Sequence, residues 1–330
     1  MKVSVIGSGS WGTALAQVLA DNNVDVNIYG QNESEVNDIL LNHKNSRYFE
    51  DVVINENIKA TTNLNDIIYS DIILLAVPTG AVESVCENIN KIINKKVIII
   101  NVAKGFHPVT HERMSEVIKR SIDEDKLKAV VSLIGPSHAE EVIIRLITVI
   151  NAVSDNEEAS TLVQELFSNN YFRVYRNYDV IGAEIGVAIK NIMAIASGML
   201  TGIGQGDNAR AALMTRGLAE MTRYAVYFGG KTETFLGLDG VGDLIVTCTS
   251  IHSRNYQAGY TIGKNNNAKE FMKTNKTTVE GIQACKVIHE EAIKHNISMP
   301  ITEQVYKILY EYKDPKDAIE SLMRRDLKEE

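Results

Sequence analysis

Two lysines in this chain stand where a positive charge needs a reason. Lys190 lies in Ile185-Gly186-Val187-Ala188-Ile189-Lys190-Asn191-Ile192-Met193-Ala194-Ile195-Ala196, where nearly every neighbour is apolar. A lysine on such a helix is rarely buried without a partner. Gly182 and Gly186 precede it on the same helical face, which leaves room for another backbone or a ligand. A lysine so placed can pass a proton to a carbonyl oxygen undergoing reduction. The competing reading is a snorkelling or salt-bridged lysine. Lys104 follows the apolar run Val97–Val102 in Asn101-Val102-Ala103-Lys104-Gly105. At the carboxyl end of a parallel strand, that is where open α/β sheets bind ligands. An exposed loop lysine is the alternative.

Gly240-Val241-Gly242-Asp243-Leu244 reads as a turn ending at a helix N-cap, with Asp243 as the cap. Ser253-Arg254-Asn255 follows. Arginine offers a planar fork of donors, and serine and asparagine add neutral ones, a set suited to phosphate; a solvated surface turn competes with that reading. His107 and His111 are separated by a proline-containing stretch with no HExxH, so no metal site is expected. His138, in Gly135-Pro136-Ser137-His138-Ala139-Glu140, lines a cleft or caps a helix. No GxSxG or Cys/His nucleophile pattern is present.

These residues need elements to hold them. Val3–Ile6, Val24–Tyr29, Ile72–Val77, Val97–Val102, Val130–Ile134 and Ile147–Val153 are short β-rich runs, and Phe172–Tyr175 could be a last one. Continuous β-branched runs separated by helices indicate a parallel sheet buried on both faces, hence a doubly wound α/β domain. Gly7-Ser8-Gly9-Ser10-Trp11-Gly12 is a GxGxxG between the first strand and a helix at Thr13–Ala20. Gly7 permits the tight turn, Gly9 lets backbone approach a pyrophosphate, and Gly12 lets helix and strand pack closely; the pattern predicts a bound dinucleotide. The second strand ends Asn27-Ile28-Tyr29-Gly30-Gln31-Asn32, with neither an acid nor an arginine; the nearest downstream bases are Lys44 and Arg47. That leaves NAD and NADP undivided. After about Tyr178 the chain turns helical, with Val180–Gly202, Ala209–Phe228, Val279–His295 and Glu303–Tyr312 as helices. The expected division is a Rossmann-like dinucleotide-binding domain over 1–178 and an all-helical substrate and catalytic domain over 179–330.

The bulk properties agree. A chain of 330 residues with 45% hydrophobic and 23% charged content suits two soluble domains. A net charge of −8 gives no support to a nucleic-acid or anionic-membrane role. The strand pattern begins at once, with no room for a signal peptide, and Ile185–Leu200, interrupted by Lys190 and Asn191, is short for a membrane span. Cys86, Cys248 and Cys285 are widely spaced and read as reduced, packed thiols of a cytoplasmic protein.

Taken together, GSGSWGTALA at 7–16, AVPTGAV at 76–82, VAKGF at 102–106, GPSHAEEV at 135–142, EIGVAIKNIMAIASGM at 184–199, GDNARAALMTRGLAEMTR at 206–223, GLDGVGDLIVTCTSIHSRN at 237–255, VEG at 279–281 and MPI at 299–301 resemble the bacterial NAD(P)-dependent glycerol-3-phosphate dehydrogenase family over almost the full length. The resemblance implies reversible reduction of dihydroxyacetone phosphate to sn-glycerol 3-phosphate with NAD(P)H, in the supply of phospholipid synthesis. It implies Lys190 as the proton acceptor in the oxidation. It implies substrate contacts from Lys104, Gly135, Ser137, Asp243, Ser253, Arg254 and Asn255. On the cofactor side, besides the motif glycines, it implies Ser10, Trp11, Tyr48, Lys104, Ala139, Arg254 and Glu280. No metal is implied, the partner is a small phosphorylated molecule, and a homodimer is among the assemblies open to the chain. The family's usual basic residue after the second strand is replaced by Gln31, which argues against a strong NADP preference, and Ile147 replaces a proline. A dehydrogenase of the same architecture acting on a hydroxy acid or sugar, and a non-catalytic dinucleotide sensor, are the rivals; Ser253-Arg254-Asn255 argues against the first, and Lys104, Lys190 and Asp243 together against the second.

Overall fold

A computed structural model of the chain describes residues 1–275, 277–327 and 329. Its first 180 residues form one compact unit, Met1–Val180, around an eight-stranded sheet; Ile181–Glu330 forms a second. The strands are β1 (Lys2–Ile6), β2 (Asp25–Tyr29), β3 (Lys59–Thr61), β4 (Ile72–Leu75), β5 (Val97–Asn101), β6 (Leu127–Ile134), β7 (Thr148–Val153) and β8 (Phe172–Asn177). Their spatial order is β3-β2-β1-β4-β5-β6-β7-β8. The first six run parallel. The chain builds outward from β1 to β3 and then returns to β4 on the other side. The switch of direction therefore lies between β1 and β4, where open sheets form a ligand crevice at the strands' carboxyl ends.

The unbroken apolar runs have a simple cause. Successive side chains point to opposite faces, and both faces are covered. Ile72, Leu74, Ile98 and Ile100 join one core with Leu15, Leu19 and Phe167. Ile73, Leu75, Val97 and Ile99 join the other with Val82, Ile89 and Val117.

The sheet departs from the sequence reading at both edges. β3, Lys-Ala-Thr, is a strand that its composition does not announce; it is held by pairing to β2. β7 runs antiparallel to β6, and β8 runs parallel to β7, so the last two strands oppose the first six. The connection 135–147 carries only one helical turn, Ala139–Val142, too little for a parallel crossover. Ile147, at the end of that connection, is 83% exposed.

The second unit is helical. Its axis is the helix Val180–Ile203, longer than the apolar run suggested and by length and composition able to cross a membrane; 89% of its most apolar stretch is buried inside the fold instead. The helix Arg254–Asn265 lies against it, backbone to backbone. A Cβ at Gly259 would stand 2.0 Å from the Ile195 carbonyl oxygen, and one at Gly198 2.0 Å from that of Tyr256. Only glycine permits this approach, and it brings the amino end of Arg254–Asn265 close to the helix that carries Lys190.

Candidate active site

The first unit supplies a phosphate cradle. Gly7 has φ +116°, and a Cβ there would stand 2.4 Å from the Ala76 carbonyl oxygen, so the turn off β1 requires glycine. A Cβ at Gly12 would stand 2.1 Å from the Gly7 carbonyl oxygen. At Gly9 a Cβ would meet nothing within 4 Å. The loop is thus crowded where it packs and open at the amino end of the helix Ser10–Asp21, whose N-cap is Gly9. Free N–H groups and the helix dipole favour an anion there. The residues fit a dinucleotide pyrophosphate.

Ser10 and Trp11 form the first turn of that helix, both half-buried. Tyr48, 40% exposed, stands beside Arg47, whose guanidinium carbon is 5.6 Å from its ring centre. Lys104 is half-buried just past β5. Gly135, with φ +146°, directly follows β6; the Ser137 hydroxyl donates to its carbonyl at 3.0 Å, and Ala139 opens the helical turn that comes next. His138 takes the N-cap position without a side-chain capping bond. His107 faces Glu83 at 3.1 Å and accepts the Thr110 N–H at 3.1 Å, and the His111 N–H donates to the His107 carbonyl at 3.0 Å. Among the described residues no cluster of His, Cys, Asp or Glu suits a metal.

The second unit holds a buried lysine. Lys190 is paired with Asp243, their side chains 3% and 1% exposed, and Lys190 Nζ also donates to Thr247 Oγ1 at 2.9 Å. Thr247 Oγ1 donates in turn to the Asp243 carbonyl at 2.6 Å. Asp243 Oδ2 is buried with no hydrogen-bond partner, and so is the Nδ2 of Asn191 next to Lys190. Buried polar atoms are rarely left so; here an acceptor and a donor stand ready in one neighbourhood. A carboxylate beside an ammonium keeps the proton available at the amine, and a threonine hydroxyl fixes its direction.

One sequence reading changes here, and beside Gly186 the expected backbone, not a ligand, is found. Asp243 is not a cap: Leu238–Gly242 is one turn of π-helix, and Asp243 is the first residue of the helix Asp243–Thr249, its carboxylate turned to Lys190. The space beside Gly186 is filled by backbone, the Asp239 carbonyl oxygen lying 3.1 Å from where a Cβ would stand. Ser253 caps the helix Arg254–Asn265, accepting the Tyr256 N–H at 3.2 Å, while Arg254 is exposed at its first turn. Asn255 is buried and accepts the Gly281 N–H at 2.9 Å, which sets the first turn of Glu280–Lys294, with Glu280 half-buried, beside it. Gly281 in turn packs on the Asn191 carbonyl oxygen, 2.7 Å from where its Cβ would stand. Asn191, Asn255 and Glu280 thereby share one end of the unit. Sequence reasoning passed over Thr247 and Asn191. Thr247 follows Asp243 by one helical turn, a signal available in the sequence; Asn191 had none but its polarity among apolar neighbours. Cys86, Cys248 and Cys285 are buried and free, and burial pushes the Cys86 and Cys248 thiols up to about 12.

Known proteins resemble this chain in sequence and fold. The family model of the NAD-dependent glycerol-3-phosphate dehydrogenase N-terminus matches residues 2–160, and that of the C-terminus matches 179–320. The chain belongs to the NAD-dependent glycerol-3-phosphate dehydrogenase family. A glycerol-3-phosphate dehydrogenase (NAD(P)+) of Listeria monocytogenes is 48% identical over 328 residues, covering 99% of this chain and 97% of the relative. One from Streptococcus agalactiae is 46% identical over 330 residues, covering 100% and 98%. The crystal structure of the Coxiella burnetii enzyme superposes with a TM-score of 0.91 at 37% identity, covering 98% of this chain and 99% of that one. That of Saccharomyces cerevisiae gives 0.84 at 27%, covering 97% and 98%.

Proposed function

We propose that this protein interconverts dihydroxyacetone phosphate and sn-glycerol 3-phosphate with NAD(P)(H), as a cytoplasmic enzyme feeding phospholipid synthesis. The observation that carries the reading is the dry Lys190–Asp243–Thr247 cluster. We assign Met1–Val180 to the dinucleotide and Ile181–Glu330 to substrate and catalysis. The reduced nicotinamide, when bound, supplies the hydride. Lys190 holds a proton at Nζ and gives it to the substrate oxygen in the reduction; in the oxidation its neutral amine takes that proton back. Asp243 stabilises the ammonium and Thr247 aims it. Arg254, with Ser253 and Asn255, orients the phosphate, since a guanidinium at an exposed helix amino end meets that anion with both charge and dipole. Gly7, Gly9, Ser10, Trp11 and Gly12 receive the cofactor, with Tyr48, Ala139 and Glu280 as further cofactor contacts, and Lys104, Gly135 and Ser137 as substrate-side ones.

The test is loss of absorbance at the reduced-nicotinamide band with dihydroxyacetone phosphate and NADH or NADPH. Turnover with either is the expected result. No turnover with either, in protein shown to bind one, overturns the assignment.

A further inference from the structure

After β5 the chain runs through Lys104 to His107 and turns back on itself. Phe106 bridges antiparallel to Arg113, and the His107 N–H donates to the Glu112 carbonyl at 2.9 Å. His107 is buried and belongs to a closed ring of polar side chains. Its Nε2 meets Glu83 Oε2 at 3.1 Å. Glu83 also pairs with Arg120, Arg120 Nε donates to Glu112 at 2.8 Å, and the Thr110 hydroxyl donates to Glu112 at 2.6 Å. Thr110 closes the ring at the imidazole. Its N–H donates to His107 Nδ1 at 3.1 Å, the Val109 N–H points to the same nitrogen at 3.4 Å, and Thr110 Oγ1 lies 3.0 Å from it. A ring nitrogen on which backbone N–H groups converge is an acceptor, so the proton of the neutral ring sits on Nε2 and points at Glu83. The bond from Arg120 holds the Glu83 carboxyl below the usual carboxylate range, so Glu83 accepts that N–H as an anion.

This contact joins two loops that a ligand crevice needs in register. Glu83 stands in the first turn of the helix Val82–Ile92, which follows the carboxyl end of β4, and β4 is the sheet neighbour of β5. The loops touch once more nearer the strands, where a Cβ on Gly105 would stand 3.4 Å from Thr79 Oγ1. Up to Ala103 the loop after β5 is held by Asn101, whose side chain bonds the Ala103 N–H at 3.0 Å and its carbonyl at 3.3 Å. Lys104 comes directly after that hold, and the next polar anchor is His107. We propose that His107 is a positioning residue, which fixes Lys104 at the substrate by tying the loop after β5 to the helix after β4 through Glu83. The proposal rests on the substrate role given to Lys104 above. A lysine's flexible stem brings no stiffness of its own, so the backbone beneath it must supply the aim. Cut from Glu83, the 107–112 turn keeps its own bonds but loses its fixed place beside the sheet, and Lys104 drifts with it. Small misplacements of a substrate-holding group are felt strongly in turnover.

Two conservative variants separate the tie from the turn. Glutamine sets its Nε2 near that of histidine and keeps the bond to Glu83; asparagine sets its Oδ1 near Nδ1 and keeps the bond from Thr110 but not the tie. With dihydroxyacetone phosphate and NADH or NADPH, His107→Asn should raise KM for dihydroxyacetone phosphate on the order of tenfold with kcat within about twofold, while His107→Gln should stay within about threefold of wild type in KM. Glu83→Ala cuts the tie from the other side and should match His107→Asn; it takes that variant's place should His107→Asn not fold. In a Lys104→Ala background, His107→Asn should add less than about twofold, because no lysine is left to misplace. A larger KM in His107→Gln than in His107→Asn would reduce the ring to a support for the turn and overturns the proposal. So does an unchanged KM in His107→Asn, or its full effect on top of Lys104→Ala. Should the wild type not turn over dihydroxyacetone phosphate, the reaction falls, and amide hydrogen exchange reads the tie by itself. Exchange over 103–107 should then quicken on the order of tenfold in His107→Asn and hold steady in His107→Gln; equal exchange in the two variants overturns the proposal.

Discussion

Replacing Lys190 by Met should cost both stability and turnover, and the two losses have separate origins. In the native protein the ammonium and the Asp243 carboxylate are almost wholly out of water, at 3% and 1% exposure. Met fills the space of the lysine stem but leaves the carboxylate behind. Its Oδ2 already lacks a hydrogen-bond partner, and its Oδ1 would keep only Thr247 Oγ1 at 3.5 Å. Stranding one charge of a buried pair costs about 3–5 kcal/mol. Loss of a positioned proton donor costs on the order of 10²–10⁴ in kcat. The charge-free double variant Lys190→Met/Asp243→Leu removes the stranded charge, so it should recover most of the stability and none of the activity. Urea unfolding at constant m-value reports the first effect, and nicotinamide absorbance with dihydroxyacetone phosphate the second. Binding of ADP should stay near wild type, since the glycine loop belongs to the other compact unit. A single variant destabilised by less than about 1 kcal/mol, or a double variant as unstable as the two singles summed, would show that the pair is not held dry. Retained kcat would remove Lys190 from the chemistry altogether.

Two further tests follow from packing and burial. Gly12→Ala drives a methyl against the Gly7 carbonyl, with 2.1 Å between them, and should destabilise the protein by about 1–3 kcal/mol; Gly9→Ala meets nothing within 4 Å, so it should unfold like wild type yet weaken ADP binding on the order of tenfold, and the opposite pattern would mean the cradle has been read the wrong way round. Glu220 is buried, and burial raises its carboxyl from 4.5 to about 7 even though it accepts the Ile301 and Thr302 N–H groups and the Thr302 hydroxyl. The native state thus holds this proton more tightly than the unfolded chain, so stability is greatest below about pH 4.5 for this group and falls by about 3 kcal/mol as pH rises to about 7. Glu220→Gln should flatten that dependence in urea unfolding at pH 5 and pH 8; an unchanged slope would place the titration elsewhere.

Much of this protein was legible without coordinates, because its strongest signals are local. Gly7 and Gly12 mark a turn and a close contact that other residues do not enter, with Gly9 leaving the helix amino end open between them, and the paired isoleucine runs at 72–75 and 97–101 mark strands covered on two faces. Lys190 stood out because an ammonium among apolar side chains is costly unless something answers it. What answers it could not be read from spacing. Asp243 is 53 residues away and looked like a helix cap, and only the meeting of Val180–Ile203 with Asp243–Thr249 turned its carboxylate to the lysine. The reversal of β7 and β8 was likewise invisible, since a strand's own residues do not record its direction; the short connection before it decided that. Glu35 shows the same limit most sharply. By sequence it is a surface acid in a polar helix, and its place beside Ser8 depends on where β2 ends, how Asn32 caps the helix and how Asn45 fastens the loop carrying Arg47. Local propensity and periodicity are properties of a segment and survive in the sequence alone. Charge pairing between distant segments depends on distance and dehydration, which exist only once the chain has packed.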